Sequence, residues 1–403
     1  MTDTTDPTGN HSPAAPPPAP PSASGSRVHL DNGGGAPLHP LARQALLQAL
    51  DDGWADPHRL HTEGRRAARL LDGAREAVAA VLGARTEEVR FTPSHAGALR
   101  DGLRGTAQAR RRAGGDVVVG GTERAAVLHA ATAAARAQGG ERVVVDVDRR
   151  GRVDADTFAD RVARPGVALA ALQHANGEVG TRQPLEAAHD AARAAGVPLL
   201  VDAGASLGHD VVPAAWDLLA AHPADWGGPA GVGVLAVRQR VRAVPPEPED
   251  ADPWAPGGVS VPAAFAAAVA LQATTSDRAA EDVRRRRLAD RVRAAAAAIP
   301  DVEVVGAPDD RLPHVVTFSC LYVDGEALVT ELDRAGFAVG SGSACTASTL
   351  EPSHVLAAMG VLTHGNVRVA LDRSTTEADV DRFLAVLPGA VRRVRDVLGV
   401  AGL

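Results

Sequence analysis

The sequence predicts an α/β protein: a large part built on a mostly parallel sheet covered by helices on both faces, and a smaller α+β unit at the C-terminal end. Three observations carry this. Short, uninterrupted apolar runs recur along the chain, as in Val117-Val-Val and Leu199-Leu-Val. Most are followed by an Ala/Arg-rich stretch with helical periodicity, the pattern of strands buried on both faces and joined by crossover helices. The chain has 403 residues, 45% hydrophobic and 23% charged, which is ordinary for a globular protein and enough to bury a large core without staples.

The elements follow in order. Of residues 1–26, 15 are Pro, Ser or Thr and none is aromatic; such a segment buries too little to offset its ordering entropy, so a disordered tail is expected. Order is expected from Val28. Residues 42–51 and 63–82 have helical periodicity. Asp116-Val-Val-Val precedes a helix near 123–138, Arg142-Val-Val-Val one near 155–163, and Val167-Ala-Leu-Ala-Ala-Leu one near 185–195. Val197-Pro-Leu-Leu-Val and Gly231-Val-Gly-Val-Leu-Ala-Val read as further strands. Pro245 to Pro256 is a Pro- and acid-rich break read as a linker. One long helical stretch is expected over about 262–298. The last hundred or so residues read as strands near 302–305, 313–319 and 366–371 with helices near 325–335 and 376–397. The predicted division is therefore a tail at 1–26, a large α/β part at 27–250, and the long helix with its α+β unit at 251–403.

Composition excludes several function classes. The net charge is −7, which disfavours a polyanion-binding surface and hence nucleic acid. All 42 basic residues other than histidine are arginine, and the chain contains no lysine. A Walker A phosphate loop and a Schiff-base lysine are thereby ruled out. The two cysteines, Cys320 and Cys345, fit no zinc spacing and define no disulfide scaffold, so a reducing, cytoplasmic setting is expected. The beginning of the chain shows no apolar signal region, and no stretch approaches a bilayer span. The 14 histidines show no HExxH-type spacing, and no metal site is expected. Arg284-Arg-Arg-Arg287, flanked by Glu281, Asp282 and Asp290, reads as a solvated helix face.

Three segments carry candidate chemistry. Cys345 lies in a Gly/Ser-rich stretch, where a thiol is either an exposed nucleophile or an inert small residue. Gly340-Ser-Gly-Ser-Ala-Cys345 lacks the third glycine of a dinucleotide fingerprint. Cys320 sits in an apolar strand and reads as core. Asp202 ends the run Leu199-Leu-Val; carboxylates at the C-terminal ends of parallel strands face the ligand crevice, where one pairs with a protonated ring nitrogen or caps the following turn.

Taken together, these segments resemble a cysteine desulfurase of the class V aminotransferase group, over about Val28 to Val394. His29-Leu-Asp-Asn-Gly-Gly-Gly-Ala-Pro-Leu-His-Pro40 resembles its opening strand and glycine turn, and Gln173-His-Ala-Asn-Gly-Glu-Val-Gly180 its central asparagine motif. Val201-Asp-Ala-Gly-Ala-Ser-Leu-Gly208 resembles the strand bearing the aspartate that pairs with the cofactor ring. Ser341-Gly-Ser-Ala-Cys345 and Leu350-Glu-Pro-Ser-His-Val355 resemble the loop of the persulfide-forming cysteine. Val367-Arg368-Val-Ala-Leu resembles the strand whose arginine holds the substrate carboxylate. The resemblance implies the fold type I of pyridoxal-phosphate (PLP) enzymes. It implies Cys345 as the sulfur-accepting residue, and Arg368 and Asn176 at the substrate. At the cofactor it implies Asp202, with Ser94 and His222 at the phosphate positions. It also implies L-cysteine, or a persulfide donor and a sulfur-acceptor protein, as partners, and a homodimer.

The departures from the family pattern lie in the cofactor site. Where the family carries its Schiff-base lysine motif, this chain reads His222-Pro-Ala-Asp225-Trp226-Gly-Gly-Pro229. Asp225 stands at the lysine position, Ala224 at that of the preceding histidine and His222 at that of the phosphate-contacting serine. Arg124 replaces the histidine that stacks on the PLP ring, Ala205 replaces a glutamine, and the phosphate loop reads Ser94-His-Ala-Gly97. Ala255-Pro-Gly-Gly258 offers no convincing match to the segment that reaches a neighbouring subunit. Loss of a general acid–base alone costs a factor of ~10²–10⁴. The expectation is a desulfurase-like protein with little or no PLP-dependent turnover and a sulfur-carrier or partner role. The alternatives are an active desulfurase holding PLP non-covalently and a non-catalytic scaffold or regulatory subunit.

Overall fold

A computed structural model describes residues 27–341, 352–397 and 399. In chain order its elements are β1 (Val28–His29), α1 (Pro40–Asp52), α2 (Thr62–Leu82), β2 (Val89–Thr92), α3 (His95–Ala109), β3 (Gly114–Gly120), α4 (Ala125–Arg136), β4 (Arg142–Val145), α5 (Ala155–Val162), β5 (Gly166–Gln173), α6 (Leu185–Ala194), β6 (Leu199–Asp202), β7 (Leu218–Ala221), β8 (Gly233–Val237), α7 (Val261–Ser276), α8 (Arg278–Ala297), β9 (Val302–Val305), β10 (Val315–Cys320), α9 (Gly325–Arg334), β11 (Phe337–Ala338), α10 (His354–Met359), β12 (Asn366–Ala370) and α11 (Glu377–Val397). The predicted tail at 1–26 lies outside the described residues.

The large sheet has the order β2-β8-β7-β6-β5-β3-β4. Its strands pair in parallel except at β8, which runs antiparallel to both neighbours. Strands β2, β3, β5, β6 and β7 therefore release their following loops at one edge, where open α/β sheets place their ligand crevice. One face is packed by α1, α2, α5, α6 and α7, the other by α3 and α4. The fold is the mostly parallel α/β architecture that the apolar runs predict.

Strands β2 and β7 and helix α3 are not anticipated by the periodicity. Helix α3 is hidden because Gly97, Gly102 and Gly105 interrupt its apolar pattern. Packing requires the last of these: a Cβ at Gly105 would stand 2.2 Å from the Val244 carbonyl oxygen, and Val244 N–H donates to the Gly105 carbonyl at 3.0 Å. The segment after β8 thus crosses the helix backbone to backbone.

A second core joins α8, α9 and α11 to the antiparallel sheet β12-β10-β9 and to β1 and β11. Gly340 and Arg368 exchange backbone hydrogen bonds of 3.0 and 2.8 Å, which ties the end of β11 to β12.

Two expectations about α7 and α8 are corrected. The single helical stretch breaks at Asp277, after Thr274-Thr-Ser, residues whose side chains compete for backbone groups. Arg373 fixes the break, ion-pairing with Asp277 and donating to the Thr274 carbonyl at 2.8 Å. The basic run of α8 is a solvated face only in part. Arg285 is fully buried, because it shares the helix stripe of Leu288, Ala289, Val292 and Ala296, and Arg284 donates to the carbonyls of Arg373 and Thr375 at 2.8 and 2.6 Å. Only the partners of Arg286 and Arg287, Asp282 and Glu377, fit a surface role.

Candidate active site

The loops after β2, β3, β6 and β7 converge on Asp202. Its side chain ends β6 and is only 4% exposed. The backbone N–H of Gly204 donates to Asp202 Oδ1 at 2.8 Å, so the residue makes the capping turn that its position predicts. Two basic side chains also face it. His95 Nε2, at the start of α3, lies 3.0 Å from Oδ1, and Arg124 Nε, after β3, lies 3.2 Å from Oδ2. Burial raises the affinity of this carboxyl for its proton, but the His95 and Arg124 charges and the Gly204 N–H outweigh it, holding the group well below the usual carboxylate range.

His95 continues the network on its other face. Its ring stacks on His222 with centroids 5.5 Å apart and planes 20° from parallel, and His222 Nδ1 lies 3.1 Å from Asp225 Oδ1. The result is a continuous array: Arg124, Asp202, His95, His222, Asp225. The rim is open at Arg124 and His222, whose side chains are 39% and 33% exposed, while Asp225 is buried. Gly204 is required here, because a Cβ on it would meet His95 Cε1 at 2.4 Å.

Asp225 is held from behind. Arg285 has only donors, so its Nη1, 2.9 Å from His209 Nδ1, makes that nitrogen an acceptor. His209 Nε2–H then donates to the Asp225 carbonyl at 2.7 Å. Burial first, and the Arg285 charge second, push His209 well below the ordinary imidazole value. The His314 ring lies against that of His209, centroids 4.1 Å apart and planes tilted by 33°, and burial lowers it likewise. Nothing in the sequence singled out His95 or this cluster; the one legible signal was the apolar stripe that places Arg285 inside.

The other candidates fall around this array. Ser94 Oγ accepts from Gly97 N–H at 3.0 Å as the N-cap of α3. The Asn176 side chain is turned inward: its Oδ1 accepts from the N–H groups of Glu178 and Val179 at 2.8 and 2.9 Å, and its Nδ2 donates to the Thr122 carbonyl at 3.0 Å. Glu123, beside Arg124, is fully buried, and burial drives its carboxyl well above the ordinary value. Arg368 lies on β12, with Nη2 2.8 Å from Asp31 Oδ1 and a buried Nε that has no hydrogen-bond partner among the described residues. Cys345 lies outside the described residues. The flanking chain is anchored on both sides, by the Gly340–Arg368 pairing and by His354 Nε2, 2.9 Å from the Glu123 carbonyl. Cys320 is buried, which pushes its thiol up to about 12. Among the described residues, no group of three or more His, Cys, Asp or Glu is placed to hold a metal ion, and no helix is long and apolar enough to cross a membrane.

This fold and this sequence are those of the class-V aminotransferases, whose family pattern matches residues 28–264 and 255–383; the chain belongs to that family. Within it the chain is cysteine desulfurase-like. It is 33% identical over 379 residues to cysteine desulfurase IscS 1 of Archaeoglobus fulgidus, covering 92% of this chain and 98% of the relative. It is 35% identical over 386 residues to a cysteine desulfurase of Cereibacter sphaeroides, covering 92% and 97%. Among solved structures, a NifS-like protein superposes with a TM-score of 0.83 at 23% identity, over 93% of this chain and 99% of that one. The apo cysteine desulfurase of Thermococcus onnurineus superposes at 0.77 and 20% identity, over 91% and 95%. These two likenesses establish the fold.

Proposed function

We propose that this chain is a cysteine desulfurase-like protein with little or no PLP-dependent turnover, acting as a sulfur carrier or partner subunit. PLP is the cofactor expected for the family. The residues present do not fit it. The one observation that carries this reading is the pairing of a lysine-free chain with an acidic residue, Asp225, in the segment resembling the lysine motif. No side-chain amine is available to hold the aldehyde, and Asp225 brings negative charge to a site for an anionic cofactor. The Asp202 carboxylate, left over from the ring-nitrogen contact, already faces Arg124 and His95.

Cys345 and Arg368 remain as the residues for sulfur chemistry. In this role the Cys345 thiolate attacks the outer sulfur of a donor's persulfide. A new S–S bond forms at Cys345, the donor's S–S bond breaks, and the donor leaves as its thiolate. No net oxidant is needed. Arg368, whose Nε–H has no partner among the described residues, is the candidate for a carboxylate on the incoming molecule. Ser94 and Asn176 are assigned here to α3 capping and to the turn after β5, and His222 to orienting Asp225. A homodimer and a cytoplasmic location accompany this reading by family likeness.

A second reading is favoured by the relatives, whose names are those of desulfurases: turnover with PLP held non-covalently. One experiment separates the two. The purified chain is mixed with PLP and L-cysteine, and sulfide and alanine are measured. No product, together with persulfide transfer from a donor to wild-type chain but not to Cys345→Ser, supports the carrier reading. Sulfide that disappears in Cys345→Ser supports the second.

A further inference from the structure

We infer that Arg124 is an internal counter-ion to the Asp202 carboxylate and that the His95 ring fills the space at its other oxygen, so that the chain itself supplies the positive charge a ring-nitrogen ligand would bring and thereby excludes such ligands. This deepens the proposed function and rests on it.

The geometry is the argument. A carboxylate at the end of a central parallel strand, 4% exposed, is costly unless its charge is met. In this chain both oxygens are met from within. Oδ1 accepts from Gly204 N–H at 2.8 Å and Oδ2 from Arg124 Nε–H at 3.2 Å, while the His95 ring, its Nε2 3.0 Å from Oδ1 but not hydrogen-bonded to it, closes the remaining space. A pyridinium needs one of those oxygens in line with its N–H, in space that now holds a guanidinium or an imidazole. His95 is not free to swing away, because Gly204 packs beneath it and His222 stacks above it. Asp225 holds His222 in turn, and the Asp225 backbone is fixed by His209 and Arg285. The array is thus braced from both ends. Exclusion acts at the ring nitrogen, independently of the absent lysine, so a lysine at position 225 alone does not reopen the site.

The test is binding, not turnover. Equilibrium dialysis of the full chain against PLP, and separately against pyridoxamine phosphate, which forms no imine with lysine, measures affinity without chemistry. Wild type is expected to retain neither. The variant Arg124→Ala/His95→Ala is expected to gain at least tenfold in affinity for both, and Asp202→Asn added to it is expected to remove the gain. Asp225→Lys alone is expected to leave pyridoxamine phosphate unbound. Circular dichroism checks that each variant folds. A double-mutant cycle on the unfolding midpoints of Arg124→Gln and Asp202→Asn gives a second readout, with a double variant shifted by less than the sum of the singles. Retention of pyridoxamine phosphate by wild type, no gain in the double variant, or additive midpoint shifts each overturn the inference. Wild type that binds PLP but yields no sulfide overturns the inference alone. Wild type that binds PLP and releases sulfide from L-cysteine overturns the proposed function as well.

Discussion

Asp202→Asn removes one charge from the centre of the site while keeping its shape. Three interactions set the magnitude. The Gly204 N–H keeps an acceptor, but a neutral one, which forfeits roughly half of a charge-assisted hydrogen bond, or about 1 kcal/mol. The contact with Arg124 reaches a guanidinium that is 39% exposed, so it is discounted towards a surface pair, about 0.5 kcal/mol. The contact with His95 is buried on both sides, at 6% and 4% exposure. Breaking a buried pair costs ~3–5 kcal/mol; here the Nε2–Oδ1 approach is not a hydrogen bond and an amide oxygen still occupies the place, so about 1.5 kcal/mol is taken for this contact. The sum is about 3 kcal/mol. Urea unfolding of both proteins, followed by circular dichroism, reads it directly. The pH dependence has a fixed sign. The folded-state affinity of Asp202 for its proton is depressed, so its contribution is full above the unfolded carboxylate value of about 3.9 and is lost as pH falls below it. The two proteins therefore differ at pH 6–8 and converge in acid. A difference under about 1 kcal/mol at pH 7, or one that grows below pH 4, refutes the assignment of Asp202 as an internally paired carboxylate.

Three further outcomes are expected. Gly105→Ala drives a methyl into the Val244 carbonyl, 2.2 Å away, and costs about 1–3 kcal/mol; Gly73→Ala, in an open position of α2, gains about 0.5–1 kcal/mol in the same denaturation assay. Arg285→Met removes the second cause of the lowered His209 value, so the imidazole resonances of His209 titrate at higher pH than in wild type while burial still keeps them below the ordinary range. Cys320, with its thiol near 12, stays unlabelled by iodoacetamide in native protein at pH 8, so Cys345→Ser abolishes labelling; mass spectrometry of the alkylated chain reads this.

How far the sequence reaches is clear from particular residues. Runs such as Val167–Leu172 have no polar side chain, and a strand of that kind is stable only with both faces covered, so the parallel sheet is legible. Helix α3 is not, because its glycines serve contacts with Leu200 and Val244 from distant parts of the chain, and local periodicity carries no record of them. Asp202 is legible from its place at a strand end. Its neighbours His95 and Arg124, at the starts of α3 and α4, stand 107 and 78 positions away in the chain, and only the sheet order brings them together. Arg285 shows the opposite failure: a run of four arginines reads as surface by composition, while helix geometry buries one of them. The resemblance to the desulfurase motifs supplied the candidate residues; the structure adds that the ionic contacts around Asp202 come from within the chain.

The most direct measurement is the absorbance of the purified chain with added PLP, before and after L-cysteine, with sulfide determined in the same sample. The account predicts a spectrum of free cofactor that buffer exchange removes and no sulfide. A retained band that shifts on adding cysteine, with sulfide release lost in Cys345→Ser, contradicts it and makes this chain a lysine-free desulfurase.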